Sequence, residues 1–213
     1  MDGNRRWARQ KNLSTQKGHE AGAKTLINLC KVLKRYEIPF VTVYAFSAEN
    51  NSRSKDETDY LFSMLERYLD SDVKKLQKEN IAVSCIGDFT IFPKKIQEKI
   101  KKIDEHTPKQ FIFTLNIALN YSGRQEIIDS INKIKQIDGK ITPEAVSENL
   151  YHSTPDVDLL IRTGGKRRLS NFLIWQMIYA ELYFCQTLWP DFTENDLKNA
   201  VDFYNEQERN FGI

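Results

Sequence analysis

Residues 110–134 read QFIFTLNIALNYSGRQEIIDSINKI. The first part, QFIFTLNIALN, is a short apolar run that reads as a strand. The last part, GRQEIIDSINKI, reads as a helix. Between them lies a small polar cluster, NYSGR. A strand, a polar turn and a helix in immediate succession suggest one half of a βαβ unit.

The same alternation recurs along the chain. FVTVYAF (40–46) is a β-rich run that reads as a buried strand, set off from the preceding helix by Pro39. IAVSCIG (81–87) and DVDLLIR (156–162) read as further strands. GHEAGAKTLINLCKVLKRYE (18–37) places Leu26, Leu29, Cys30 and Leu33 on one helical face. A long amphipathic helix is expected over 55–80, with Leu61, Met64, Leu65, Tyr68, Leu69 and Leu76 along one side. PKKIQEKIKKI (93–103) reads as a helix opening at a proline. A last helix is expected near Thr193, with Asp196 in the capping-box position. Short apolar strands alternating with helices imply an α/β fold with a largely parallel sheet. Neither repeat nor linker interrupts the pattern, so residues 1–213 are read as a single domain.

In open parallel sheets, ligands bind at the carboxyl ends of strands. Three polar clusters fall there: SAENNSR after 40–46, NYSGR after 110–120, and RTGGKRRLSN at the end of 156–162. The last carries Arg162, Lys166, Arg167 and Arg168 interleaved with Thr163, Gly164, Gly165 and Ser170. Glycines let backbone N–H groups approach an anion, and guanidinium and hydroxyl groups can complete a diphosphate cradle. The pattern is neither a P-loop nor G-x-G-x-x-G. The opening MDGNRRWARQ sets a carboxylate, Asp2, beside a Gly-Asn turn and two guanidinium groups. Fork-shaped donors suit phosphate or carboxylate. His19, before an amphipathic helix, reads equally as an anion ligand or a surface group.

Composition excludes several classes. Lys and Arg total 31 against 29 Asp and Glu, for a net charge of +2, which disfavours a nucleic-acid binder. Cys30, Cys85 and Cys185 are far apart and form no C-x-x-C pair, so no zinc ribbon or disulfide framework is supported. The N-terminus is polar, unlike a signal peptide. The longest apolar stretch, NFLIWQMIYAELYFC, is broken by Gln176 and Glu181 and is too short to span a bilayer. A cytoplasmic location is expected.

Taken in order, MDGNRRWA, GHEAG, YAFSAEN with Arg53, NYSGR, RTGGKRRLSNFLIWQ, AELYF, WPDF and ERNFG resemble the successive motifs of the cis-prenyltransferases. The resemblance covers nearly the whole chain. The trans-acting enzymes carry D-D-x-x-D, and no Asp-Asp pair occurs here. The resemblance implies a homodimer with a central, mostly parallel sheet surrounded by helices and a hydrophobic tunnel. It implies Mg²⁺-dependent condensation of isopentenyl diphosphate onto farnesyl diphosphate with cis geometry, and contact with a membrane surface through the apolar product. Asp2 would hold the metal on the diphosphate, with Glu181 as the second metal-associated acid. Gly3, Asn4, Arg5 and Arg6 would bind the allylic diphosphate, with Trp7 and His19 alongside. Ser47, Ala48, Glu49, Asn51 and Arg53 would line the substrate site. Arg162, Arg168, Leu169 and Ser170 would take isopentenyl diphosphate. Asn50 stands where the family places the group that removes a proton. An amide is too weak a base, so Asn50 is expected to orient groups while a diphosphate oxygen accepts the proton. The helix over 55–80 would supply a tunnel wall.

The chain departs from the family pattern at four positions. Asn51 stands for Trp, Ser54 for Pro, Lys166 for Glu and Thr15 for Arg, which keeps open the alternative of a non-catalytic or impaired relative acting as a binding or partner subunit. Members also carry a strand before the aspartate. The expectation is therefore either residues upstream of Met1 in the native protein or weak order around residues 1–15.

Overall fold

Every strand pairing among the described residues is parallel. The computed structural model describes residues 1–49, 55–105, 107–152 and 154–208. In chain order the elements are α1 (Asn4–Gln10), α2 (Thr15–Leu33), β1 (Phe40–Ser47), α3 (Lys55–Lys78), β2 (Ile81–Ile86), α4 (Lys94–Glu105), β3 (Phe113–Tyr121), α5 (Gly123–Gln136), α6 (Pro143–Glu148), β4 (Leu159–Arg162), β5 (Glu181–Phe184) and α7 (Glu194–Asn205). They fall into two compact units. Of the described residues, those within 37–154 and 171–175 form one, and those within 1–36, 155–170 and 176–208 form the other.

The first unit is built on a sheet of order β1-β3-β2. β3 is central and almost wholly buried, its polar Thr114, Asn116 and Asn120 included. β1 corrects the expectation of a buried strand. It flanks β3 and is only partly covered, with Phe40 39% exposed. Helices α3 and α4 bury Leu61, Leu69, Val73 and Leu76, and Ile96, Ile100 and Ile103, respectively. Each such side chain contributes about 1.5–3 kcal/mol relative to exposure. Phe46 of β1, Phe62 of α3 and Phe92 form an aromatic cluster, with centroids 5.1–6.2 Å apart. α5 starts where the sequence predicts, because the Ser122 side chain accepts from the Gln125 N–H.

In the second unit β4 pairs with β5, Leu160 lying opposite Leu182. α1 packs closely on α2 because Gly18 and Gly22 present no side chain. A Cβ at Gly18 would stand 2.3 Å from the Asn4 carbonyl oxygen, and one at Gly22 2.3 Å from Asn4 Oδ1. That approach explains the glycines of GHEAG. α7 begins with the expected capping box, Thr193 and Asp196 each accepting from the other's backbone N–H. Among the described residues no cysteine is in a disulfide, and Cys30 is buried.

Candidate active site

Asp2 is held from three directions by one short tripeptide and one helix. Arg162, the last residue of β4, donates from Nη2 to Asp2 Oδ2 at 3.1 Å. Arg6, one turn into α1, donates from Nη2 to Asp2 Oδ1 at 3.2 Å. Thr163 accepts the Asp2 N–H at 2.9 Å and donates its hydroxyl to the Asp2 carbonyl at 2.8 Å. The Gly164 carbonyl accepts from Arg6 Nη1 at 2.7 Å, so Arg162, Thr163 and Gly164 grip Asp2 and Arg6 together. The Trp189 N–H adds a bond to the Asp2 carbonyl at 3.0 Å. Burial pushes the Asp2 carboxyl up, but the Arg162 hydrogen bond and the Arg6 and Arg162 charges outweigh it and hold the group below its ordinary range. Two guanidinium groups against one carboxylate leave a local excess of positive charge, an arrangement suited to a diphosphate.

The loop after β4 belongs to the same cluster. Arg162 Nη1 donates to Ser170 Oγ at 2.8 Å and to the Arg168 carbonyl. Arg162 Nε is buried without a partner. Arg168 is exposed, as are Lys166 and Arg167, and Leu169 is half-buried. Ser170 takes a φ of 53°. The sequence reading assigned Arg162 to one substrate and Asp2 to the other. In the structure the Arg162 guanidinium bonds Asp2 through Nη2 and Ser170 through Nη1.

Several expectations are corrected. MDGNRRWARQ is not a loop, because α1 begins at Asn4. The bonds of Thr163 and Trp189 tie the Asp2 backbone to its neighbours in the fold. Gly164 and Gly165 do not offer their N–H groups to a ligand. Those amides donate at 2.8 Å to the carbonyls of Thr187 and Cys185. Gly164 is required for a different reason. Its φ is +81°, and a Cβ there would lie 2.5 Å from Arg6 Nη2. Trp7 has committed its indole N–H to Asp191 Oδ1 at 2.7 Å, with Lys11 Nζ 4.8 Å from its ring centroid. His19 does not stand at a helix start. Ser14 caps α2 earlier, accepting from the Lys17 N–H, so His19 lies inside the helix. Glu181 is the first residue of β5, its N–H on the Asp158 carbonyl at 2.9 Å. Gly3, φ 121°, caps α1 without a side-chain hydrogen bond. Arg5 is exposed, and Asn4 keeps a buried Oδ1 without a partner.

The other unit carries a second polar cluster, centred on Asn171. Its Nδ2 donates to Glu49 Oε1 at 3.0 Å and to Ser122 Oγ at 2.8 Å. Its Oδ1 accepts from the Arg124 N–H at 3.0 Å, and its carbonyl from the Gly123 N–H at 2.8 Å. Burial pushes the Glu49 carboxyl up, but hydrogen bonds from Asn171, its own backbone and Ser47 hold it low. Ser47 ends β1, and Ala48 and Glu49 follow it. Asn50, Asn51 and Arg53 lie outside the described residues. From sequence Thr163 and Asn171 read only as parts of an anion cradle, with no partner assigned to either. Both sit inside RTGGKRRLSN, whose hydroxyl and amide positions were the available signal.

Among the described residues no group of three His, Cys, Asp or Glu could by itself cage a metal ion. Mg²⁺ does not need such a cage, since it binds through one or two carboxylates plus substrate phosphates. Each Asp2 oxygen accepts one guanidinium N–H and retains acceptor capacity, and the side chain is 33% exposed. The donor set therefore fits a cation delivered with a diphosphate.

A parallel α/β fold with an aspartate clamped by two arginines has the charge pattern of proteins that handle phosphorylated ligands. The comparisons specify which kind. The family described as "Putative undecaprenyl diphosphate synthase" matches residues 1–212, and the chain belongs to that family of prenyltransferases. It is 44% identical to an isoprenyl transferase of Fusobacterium nucleatum, covering all of this chain and 93% of that one. It is 43% identical to the ditrans,polycis-undecaprenyl-diphosphate synthase ((2E,6E)-farnesyl-diphosphate specific) of Haemophilus influenzae, again over the whole chain and 92% of the relative. Among solved structures, lavandulyl diphosphate synthase from Lavandula x intermedia, in complex with dimethylallyl diphosphate, superposes with a TM-score of 0.94. It is 32% identical, with 100% of this chain and 95% of that one covered. A probable undecaprenyl diphosphate synthase from Campylobacter jejuni superposes with a TM-score of 0.84 at 36% identity, covering 91% and 93%.

Proposed function

We propose that this chain condenses isopentenyl diphosphate repeatedly onto farnesyl diphosphate with cis geometry, giving a long-chain polyprenyl diphosphate such as undecaprenyl diphosphate. The observation that carries the reading is the Asp2 carboxylate clamped by Arg6 and Arg162. It sits in a chain whose full length matches farnesyl-specific relatives. In each cycle the allylic C–O bond breaks and its electron pair leaves on the diphosphate. The isopentenyl double bond attacks the allylic carbon, and a proton departs from the adjacent carbon to set the new double bond. Arg6 and Arg162 stabilise the charge that develops on the leaving oxygen. Asp2 would hold Mg²⁺, which when bound neutralises diphosphate charge. Arg168 and Ser170 hold the diphosphate of the second substrate, and Asn50 orients the reacting groups while a diphosphate oxygen takes the proton. The aromatic cluster of Phe46, Phe62 and Phe92 supports a tunnel wall along α3. No helix among the described residues is long and apolar enough to cross a membrane. The reading includes a cytoplasmic homodimer that meets the membrane through its product.

The test is radiolabelled isopentenyl diphosphate with farnesyl diphosphate and Mg²⁺, the products resolved by length. A ladder ending in long chains is expected. The similarity to a synthase that holds dimethylallyl diphosphate favours a second reading, use of that short allylic diphosphate in place of farnesyl diphosphate; turnover with dimethylallyl diphosphate and none with farnesyl diphosphate would establish it.

A further inference from the structure

We propose that the Thr163 hydroxyl is the positioning group for Asp2, fixing the backbone from which the carboxylate reaches its ligands. This rests on the function proposed above. Thr163 is 1% exposed and follows directly on β4. It therefore cannot be a substrate-facing hydroxyl of the diphosphate cradle that its motif suggests. Its single oxygen closes a two-way bridge, accepting from the Asp2 N–H at 2.9 Å and donating to the Asp2 carbonyl at 2.8 Å. The peptide planes on both sides of the Asp2 Cα are thereby held. The Trp189 N–H shares the same carbonyl at 3.0 Å and steadies the second plane. What remains free is the side chain of Asp2, and Arg6 and Arg162 set its two oxygens.

The division of labour is sharp. The neighbouring residues 162 and 163 hold the same aspartate, Arg162 by the carboxylate and Thr163 by the backbone. A carboxylate that must meet a diphosphate and its cation needs its donor atom placed within about 0.5 Å. A glycine follows Asp2, and Gly3 at φ 121° is the residue type least able to stiffen the chain by itself. The rigidity has to come from across the fold, and Thr163 supplies it. Valine has the same shape as threonine but offers neither donor nor acceptor, whereas serine keeps both.

The experiment compares full-length Thr163→Val, Thr163→Ala and Thr163→Ser, each in the wild-type and Asp2→Asn backgrounds. Steady-state kinetics are paired with calorimetry of inorganic diphosphate in the presence of Mg²⁺, and thermal melts monitor folding. Thr163→Val is expected to lower kcat by roughly 10- to 100-fold, with the KM for isopentenyl diphosphate changed by less than about threefold, because a small misplacement costs rate more than binding. Thr163→Ser is expected to restore most of the rate, and Thr163→Ala to behave like valine. In the Asp2→Asn background, Thr163→Val is expected to weaken Mg²⁺-dependent diphosphate binding no further, since both changes disable one unit. Mg²⁺-dependent diphosphate binding weakens in Thr163→Val and recovers in Thr163→Ser. A wild-type rate in Thr163→Val overturns the proposal. So does an equal loss of diphosphate binding in both backgrounds, which marks a structural role independent of Asp2. If valine does not fold, alanine and serine decide on the same criteria. If the wild-type chain consumes no isopentenyl diphosphate, the proposed function fails, and the valine-to-serine difference in calorimetry alone decides the role of Thr163.

Discussion

Arg162→Ala removes the guanidinium that links Asp2 to the loop after β4. Arg162 is 13% exposed at its side chain, so its bonds are made largely away from water. It loses a charge-assisted bond to Asp2 Oδ2 at 3.1 Å and one to Ser170 Oγ at 2.8 Å, along with the bond to the Arg168 carbonyl. Bonds to charged groups contribute about 1.5–3 kcal/mol each, and removing one group that makes several is not additive. A loss of about 3 kcal/mol in transition-state stabilisation corresponds to roughly a 100-fold fall in kcat/KM. The partition of that fall is the informative quantity. A residue that only bound isopentenyl diphosphate would raise its KM and leave kcat intact. Arg162 also holds Asp2, so Arg162→Ala is expected to lower kcat as well, whereas Arg168→Ala, whose side chain is exposed, raises KM alone. Arg162→Lys keeps the charge but cannot span acceptors that a planar fork reaches, and recovers only part of the rate. The assay is initial-rate kinetics with each diphosphate varied in turn, beside a melt to confirm folding. If Arg162→Ala and Arg168→Ala share one profile with kcat unchanged, the joining of Asp2 to Arg162 carries no function and the reasoning fails.

Turnover is expected to stop in EDTA and return on adding Mg²⁺, and Asp2→Ala is expected to abolish it while the fold persists; undiminished activity in chelator would contradict the metal role of Asp2. Lys166→Glu, at an exposed position where the resemblance implies Glu, is expected to leave the rate unchanged or raise it, and a large loss would show that the site has adapted to lysine. Asp196→Ala removes the capping box of α7 and a 2.8 Å bond from the Thr187 hydroxyl, costing about 1 kcal/mol in chemical denaturation. Burial pushes the Asp196 carboxyl up, but bonds from Thr193 and Thr187 hold it below 3.8. Its folded pKa is thus depressed, so the contribution is full above the unfolded value and fades as pH falls through the folded one. Wild type and Asp196→Ala should therefore converge in stability in strong acid, and a constant difference would refute the assignment.

The fold was legible wherever local pattern and tertiary role agree. β3 reads as a strand because Phe113, Leu115 and Leu119 are buried in a sheet interior, with no solvent face to impose alternation. The start of α7 is legible because Thr193 and Asp196 satisfy each other locally. β5 was missed. Glu181 to Phe184 is only four residues, half exposed, and follows an apolar stretch with no strand period. Its identity comes from pairing with β4, which no window of sequence contains. α1 was missed for a related reason. The helix is seven residues long, too short to persist alone, and it depends on packing against Gly18 and Gly22 of α2.

At the site, residue types were legible and partners were not. Sequence singles out Asp2, Arg6, Arg162 and Gly164 because charge and glycine advertise themselves. It does not say that Gly164 is needed for the approach of Arg6 rather than for an anion, because that depends on a residue 158 positions away. The glycine amides seemed available until Thr187 and Cys185 claimed them. Thr163 shows the limit most clearly. In a run of cations its hydroxyl reads as one more phosphate ligand, and only burial reveals that it faces the protein. Substitutions within RTGGKRRLSN should accordingly sort by what each residue touches in the fold. Exposed Lys166 and Arg167 should tolerate change, while Arg162, Thr163 and Gly164, which share one aspartate and one arginine, should fail together. A scan in which Arg167→Ala costs as much as Gly164→Ala would break that ordering, because it would mean that charge in the loop, and not the grip on Asp2 and Arg6, sets the rate.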